Sequence, residues 1–219
     1  MFETLRRVLR ARAAELDGSG GHEEGFTLIE LMVVLLIIAI LLAIAIPTFL
    51  GVTGSARDRS AQSLLTNVLT ETQAAYQDAQ QYPVTSPVTY YSSTDPQFNW
   101  QDGTPTGATP AAPVGTACST SDTRCVSVMP VNVGTAGDHE GLIISVMSSS
   151  GTCWASINLQ VNPATITGDP AAFTASSGAA TAGTFFAKSQ SPAPAGSCWA
   201  GNFLTAKKWG NNYATAPAN

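Results

Sequence analysis

The stretch FTLIELMVVLLIIAILLAIAIPTFL, at residues 26–50, is the most apolar part of the chain. It contains 16 consecutive apolar residues, from Leu31 to Ile46. A helix of 25 residues is about 37 Å long, whereas the hydrocarbon core of a bilayer is about 30 Å thick. The stretch therefore predicts a helix that can span a membrane.

Basic residues lie mainly on one side of this stretch. Four of the ten occur among the first 25 residues (Arg6, Arg7, Arg10 and Arg12), and the next one along the chain is Arg57. Because basic flanks stay in the cytoplasm, we expect the N-terminus there and most of the chain outside. A secretory signal peptide, with Ala43-Ile44-Ala45 as a crude cleavage site, is an alternative. Its apolar region is usually only about 7 to 15 residues long, however.

The overall composition limits the possible functions. Of 219 residues, 44% are hydrophobic and 11% are charged, and the formal net charge is −5. This balance argues against binding of nucleic acid through a basic surface, so no nucleic-acid partner is expected. The length suits one domain, or one domain with an extended element.

Glu30 is a carboxylate at the head of the apolar run, and no basic residue lies between it and Arg57. Burying such a charge at the centre of a membrane helix costs about 2.5–3.5 kcal/mol on insertion scales. Glu30 therefore either lies at the depth of the lipid headgroups or pairs with a cation from elsewhere.

The residues GFTLIEL, at positions 25–31, followed by the long apolar run, resemble the class III signal sequence of type IV pilins and pseudopilins. The resemblance implies that a prepilin peptidase cleaves between Gly25 and Phe26 and methylates the new amino group of Phe26. It also implies that Glu30 neutralises the Phe26 amine of a neighbouring subunit during assembly. The residue ranges that follow are a leader at 1–25, a polymerisation helix at 26–50, a packing helix at 51–82 and an extracellular β-rich head at 83–219.

The same resemblance implies a set of partners and a location. The partners are further copies of the chain in a helical filament, minor pilins, the peptidase, the inner-membrane assembly machinery and, before assembly, the lipid bilayer. The precursor would lie in the cytoplasmic membrane, and the assembled subunit would lie in a filament of a pilus or a type II secretion pseudopilus. The alternative is an extracellular binding domain on a single-pass anchor that never polymerises.

Pro47 lies near the outer end of the apolar run. It lacks an amide proton and its ring clashes with a preceding carbonyl, so we expect a kink or a locally unwound segment there. In the pilin family, a proline at the matching place accompanies a stretch that melts when subunits enter the filament. A simple kink in a membrane helix is an equally good interpretation.

Residues 55–81 have the three-to-four spacing of an amphipathic helix, and Tyr82-Pro83 ends the pattern. Its apolar positions are Ala61, Leu64, Leu65, Val68, Leu69, Thr72, Ala75, Tyr76 and Ala79. A continuous helix over 26–81 would be about 84 Å long, too long to pack wholly on one small domain. The fold class is therefore α+β, with the second half of the helix packed on an antiparallel sheet and the first half covered by other partners.

The remainder of the chain contains short apolar or alternating runs that predict strands. They lie at 125–133, 141–148, 152–161 and 184–187, with a weaker one at 199–205. The runs at 142–148 and 152–159 flank Ser149-Ser150-Gly151 and predict a hairpin. We expect surface loops at 104–116 and 168–183.

Four cysteines permit three pairings. We favour Cys118 with Cys125, which closes the loop CSTSDTRC, and Cys153 with Cys198, each of which precedes a Trp. On loop-closure entropy these two bridges contribute about 2.5 and about 4 kcal/mol to stability. The absence of a C-x-x-C motif argues against a metal site, so we expect no metal and no cofactor.

No catalytic residue is expected. His139 lies in GTAGDHEG, which has the composition of an exposed turn, and the chain has neither a G-x-S-x-G elbow nor a phosphate-binding glycine loop. Asp95, Asn99 and Asp102 are a weak candidate for Ca²⁺ binding, as in some pseudopilins, although their spacing does not match an EF-hand.

Overall fold

In a computed structural model of the chain, residues 25–106, 113–164, 181–190, 197–204 and 209–217 are described. Its internal contacts divide the chain into two units, Met1–Phe49 and Leu50–Asn219. The predicted loops at 104–116 and 168–183 lie partly outside the described residues.

Helix α1 extends over Leu28–Ala79, close to the range that the sequence predicts. In the first unit, every described residue from Gly25 to Phe49 is exposed. By length and composition alone, α1 is long and apolar enough to cross a membrane. The helix is continuous through Pro47, so it is not unwound there, and the kink stays a prediction.

The second unit contains a short helix, α2 (Pro87–Thr94), and a five-stranded sheet. The strands are β1 (Asn99–Asp102), β2 (Cys125–Val131), β3 (Gly141–Met147), β4 (Cys153–Leu159) and β5 (Gly183–Ser189). Their order in the sheet follows the chain, and every neighbouring pair is antiparallel except β1 with β2, which is parallel. The fold is therefore α+β with a mostly antiparallel sheet.

Both faces of the sheet are covered, which explains why β2, β3 and β4 are buried at every position. On one face, the α1 side chains Ala61, Leu65 and Val68 pack in one cluster with sheet residues such as Val128 and Ile144. On the other face, the cluster includes Met129 and Ile157 together with residues near the C-terminus such as Phe203. Because successive side chains of a strand point to opposite faces, each central strand contributes to both clusters.

The predicted hairpin is confirmed. Residues 141–147 and 153–159 pair in an antiparallel register that joins Met147 to Cys153. Gly151 in the connecting turn has a φ of +95°, which glycine adopts without the steric cost of a Cβ. Its amide donates to the Ser148 carbonyl at 2.9 Å, which closes the turn.

The structure corrects the sequence analysis in three places. The weak run at 199–205 is not a strand, because Ala200–Phe203 form a 3₁₀-helix. Helix α2 and strand β1 had not been predicted at all. The parallel pairing of β1 with β2 also departs from the purely antiparallel sheet that we expected.

The structure contains the two disulfides favoured by the sequence analysis. Cys118 pairs with Cys125 over 7 residues, and Cys153 pairs with Cys198 over 45 residues. The second bridge joins the start of β4 to the C-terminal segment that covers one face of the sheet.

Asp138 organises the loop between β2 and β3. Its carboxylate accepts hydrogen bonds from the backbone amides of Val133, Gly134 and Thr135. Burial alone would raise the pKa of Asp138, but these amides stabilise the charged form and hold its pKa below the usual value.

A carboxyl whose pKa is depressed on folding stabilises the protein above its unfolded pKa of about 3.9, and this contribution is lost as the pH falls through the folded value. We therefore expect the melting temperature to fall below about pH 4. Asp138→Asn should lower the free energy of unfolding at pH 7 by roughly 1 kcal/mol and weaken this acid dependence. Thermal unfolding of the full chain in detergent, followed by circular dichroism, measures both effects. Asp78→Asn, at an exposed helix position, is the matched control, and equal effects of the two variants would contradict the role of Asp138.

Candidate functional site

The candidate site lies at the start of α1, where Thr27 and Glu30 form a reciprocal pair of hydrogen bonds. The Thr27 amide donates to Glu30 Oε2 at 3.1 Å, and the Thr27 hydroxyl donates to the same oxygen at 3.0 Å. In return, the Glu30 amide donates to Thr27 Oγ1 at 3.2 Å. Thr27 directly precedes the helix, so the pair is a capping box.

This arrangement forms because the first turn of any helix leaves amide groups without a partner inside the helix. The box satisfies the amide of Glu30 and that of Thr27 itself. The Glu30 carboxylate is also well placed electrostatically, because the N-terminus of a helix carries roughly half a positive charge. The local sequence therefore holds the carboxylate at the very beginning of the apolar helix.

The cap supplies hydrogen bonds but not a compensating charge. Within the described part of the chain, no basic side chain lies near Glu30, and the next basic residue in sequence is Arg57. In water this would cost little, but in an apolar environment an ionised carboxylate requires a cationic partner. Among the described residues, Glu30 therefore has no cationic partner, and it directly precedes the uninterrupted apolar run from Leu31 to Ile46.

Gly25 and Phe26 lie immediately before the capping box. Both are exposed, and both precede the first helical residue, Leu28. The Phe26 side chain is 87% exposed. A peptidase could therefore reach the Gly25–Phe26 bond without unwinding α1, and its cleavage would create an amine next to Thr27.

Comparison with known families identifies this segment. Residues 21–46 match the family model of the prokaryotic N-terminal methylation motif. This motif is the class III signal sequence of type IV pilins. The match includes Gly25, Phe26 and Glu30, and supports a precursor of the type IV pilin or pseudopilin type. Comparisons with curated proteins and with solved structures gave no match to this chain.

The sequence analysis missed one functional feature of the methylation motif. The spacing of Thr27 and Glu30 is that of the S/T-x-x-E capping box, which is recognisable in a sequence just before an apolar run. The sequence analysis considers Glu30 either at the depth of the lipid headgroups or as one half of an ion pair. The structure adds that Thr27 holds the Glu30 carboxylate through hydrogen bonds.

The other predicted residues belong to other elements of the chain. Pro47 is inside α1, and the four cysteines form disulfides in the second unit. Asn99 donates to Asp122 Oδ2 at 2.6 Å, and Asp102 Oδ1 accepts from the Thr104 amide at 2.9 Å. Over the described residues, no group of three or more His, Cys, Asp or Glu side chains is placed to hold a metal ion.

His139 belongs to the loop that Asp138 organises. Its φ is +47°, its amide donates to Asn132 Oδ1 at 3.3 Å, and its carbonyl accepts from the Tyr82 amide at 3.0 Å. These are backbone contacts that shape the loop. A structural role explains them without a catalytic one.

The capping box makes a testable prediction about the first turn of α1. Thr27→Val removes the hydroxyl but keeps the side-chain shape, and should destabilise this turn by about 1 kcal/mol. Thr27→Ser keeps the hydroxyl and should have almost no effect. Hydrogen exchange of the Glu30 amide, measured by NMR in detergent micelles, should be several-fold faster in Thr27→Val than in the wild type. Equal exchange in all three proteins would show that the box does not form.

Proposed function

We propose that this chain is the precursor of a filament subunit of a type IV pilus or a related secretion pseudopilus. A prepilin peptidase cleaves it between Gly25 and Phe26 and methylates the amine of Phe26. The mature chain then polymerises through the apolar part of α1. The observation that supports this proposal best is the uncompensated carboxylate of Glu30, held at the head of an exposed apolar helix inside a methylation motif.

Cleavage provides the cation that Glu30 lacks. The new amine of Phe26 is positively charged, and N-methylation retains a basic amine. Thr27 already holds Oε2 of Glu30 through two hydrogen bonds, so the carboxylate is oriented before the amine of a neighbouring subunit arrives. The second oxygen, Oε1, has no hydrogen bond among the described residues and can accept a hydrogen bond from that amine.

The apolar surface of α1 alone does not explain specific assembly. Lipid tails are as apolar as leucine, so helices that meet inside a bilayer gain little from the hydrophobic effect. A polar pair at a fixed depth is different, because the isolated charge is costly and pairing removes that cost. In this proposal Glu30 sets the axial register between subunits, and the exposed side chains from Leu28 to Leu50 supply the packing.

The proposal assigns partners and a location to each part of the chain. The lipid bilayer covers the apolar part of α1, at 28–50, before assembly, when the N-terminus lies in the cytoplasm. The inner-membrane assembly machinery and minor pilins then transfer the subunit into a filament of identical copies. The second unit, with its two disulfides, remains outside the cytoplasm throughout.

Replacing Glu30 tests the charge separately from the cap. Glu30→Gln keeps an oxygen that accepts from Thr27 but has no charge to offer an amine. It should insert into the membrane normally, yet lower the yield of sheared filaments by about tenfold or more, because removing one partner of a buried ion pair costs about 3–5 kcal/mol. Yield is measured by electron microscopy and immunoblotting in cells that contain the peptidase and assembly machinery. Glu71→Gln, at an exposed position of α1 in the second unit, is the control.

Normal filaments from Glu30→Gln would contradict the pairing role. If the wild-type chain itself yields only membrane-bound single subunits in such cells, the alternative of a tethered extracellular domain is correct. A loss of filaments in both Glu30→Gln and Glu71→Gln would indicate a general defect in expression, which the immunoblot of the membrane fraction detects.

A further inference from the structure

The second unit contains a cleft with a volume of about 400 Å³. Its walls are the α1 segment 57–67, the turn between β3 and β4, and the loop closed by the Cys118–Cys125 disulfide. This volume falls within the range of about 300–1,000 Å³ that is typical of sites for small molecules. The methylation motif and the filament proposal assign no role to this cleft.

Most of the residues that line the cleft carry a hydroxyl or amide group, beside a comparable apolar area. Ser60, Ser63 and Asn67 contribute from α1, Thr123 contributes from the disulfide loop, and Ser149 contributes from the turn. Ala61, Leu64 and Met147 add an apolar area. Such a surface provides hydrogen-bond donors and acceptors as well as apolar contacts. It therefore complements a polyhydroxylated ring, which carries both hydroxyl and C–H groups.

Among the described residues that line the cleft, Arg57 is the only charged one, and none is acidic. The neighbouring carboxylate of Asp58 instead accepts a hydrogen bond from the Ser150 hydroxyl on the turn. Among the described residues, the Arg57 guanidinium has no carboxylate partner. A planar guanidinium with five N–H donors matches a carboxylate in a bidentate geometry.

The two walls opposite α1 are held in place before any ligand binds. In the turn, the Ser150 amide donates to Ser148 Oγ at 3.1 Å, and the Ser148 amide donates to the Thr152 carbonyl at 2.9 Å. In the disulfide loop, Asp122 accepts from the Arg124 amide at 3.0 Å as well as from Asn99. A preformed site loses less conformational entropy on binding.

We propose that this cleft binds a hydroxylated monocarboxylate of the sugar-acid class, either free or as one residue of an acidic polysaccharide. The carboxylate lies against Arg57, and the ring hydroxyls contact Ser60, Ser63, Asn67 and Thr123. A single guanidinium, beside the carboxylate of Asp58 and in a chain of net charge −5, matches one negative charge better than the two of a phosphate monoester. The proposal concerns the single chain and does not depend on cleavage or polymerisation.

Titration of the full chain in detergent micelles with D-glucuronate, followed by saturation-transfer NMR, tests the proposal directly. The wild type should bind glucuronate saturably, and glucose or acetate at least about tenfold more weakly, because each lacks one half of the recognised chemistry. Glucose 6-phosphate should bind more weakly than glucuronate. A short oligoglucuronate that binds more tightly than the monomer would identify a polysaccharide as the source, and equal affinities would identify the free sugar acid.

Variants separate the cleft from general charge effects. Arg57→Ala should weaken glucuronate binding by about tenfold or more, and Arg57→Lys should weaken it less. Arg59→Ala is the matched control, because Arg59 is exposed, lies two residues away and does not line the cleft. Ser60→Trp, at an exposed helix position, fills the cleft without changing its charge and should also abolish binding.

Several results would overturn the proposal. They are an absence of saturable binding by the wild type, equal losses in Arg57→Ala and Arg59→Ala, and tighter binding of glucose 6-phosphate than of glucuronate. Another outcome is that the chain self-associates, that Arg57→Ala abolishes this association and that glucuronate does not compete with it. The cleft would then bind an acidic side chain of a second copy instead. Circular dichroism of each variant establishes that a loss of binding is not a loss of folding.

Discussion

A carboxylate at the head of an apolar helix is the constraint on which this account depends. Glu30 Oε2 accepts two hydrogen bonds from Thr27, but among the described residues no cation pairs with the carboxylate. An ionised carboxylate in the apolar part of a membrane is costly in free energy unless a cation pairs with it. The capping box and the adjacent Gly25–Phe26 bond lie within six residues, so the proposed source of a cation and the carboxylate that would receive it are close together in the sequence.

The two parts of α1 differ in the exposure of their apolar side chains. From Leu28 to Leu50 its side chains are exposed, and in our proposal lipid or other copies of the chain cover them. From Ala61 to Tyr76 the apolar side chains form one stripe that packs in the core of the second unit. The sheet can therefore be short, because the helix covers one face and the disulfide-linked C-terminal segment covers the other.

The periodic parts of the fold were predictable from the sequence. Leu65, Val68 and Thr72 recur at helical spacing and are fully buried, and the alternating runs around Ser149-Ser150-Gly151 form the expected hairpin. Such patterns are visible because each reflects one buried surface with a constant period.

The elements that the sequence analysis missed, α2 and β1, show no such periodic pattern of apolar residues. Helix α2 has eight residues, only two of which are buried, and β1 has four residues with a single buried side chain. The run at 199–205 alternates like a strand, but the Gly201 amide donates to the Gly103 carbonyl and the Ala200 amide donates to Ser127 Oγ, so its backbone is fixed by distant parts of the chain.

Within the candidate site, the motif identified the residues, and only the structure revealed that Thr27 holds Glu30.

The central claim is that a charged amine is released at Phe26 to meet this carboxylate. Intact-mass and N-terminal peptide mass spectrometry of the chain, isolated from cells with and without a prepilin peptidase, tests it most directly. With the peptidase, the account predicts a mature chain that begins at Phe26 and carries one methyl group on its amine, whereas the unprocessed chain persists without it. A chain that still begins at Met1 in the presence of the peptidase, or that begins at Ile46, would contradict the account.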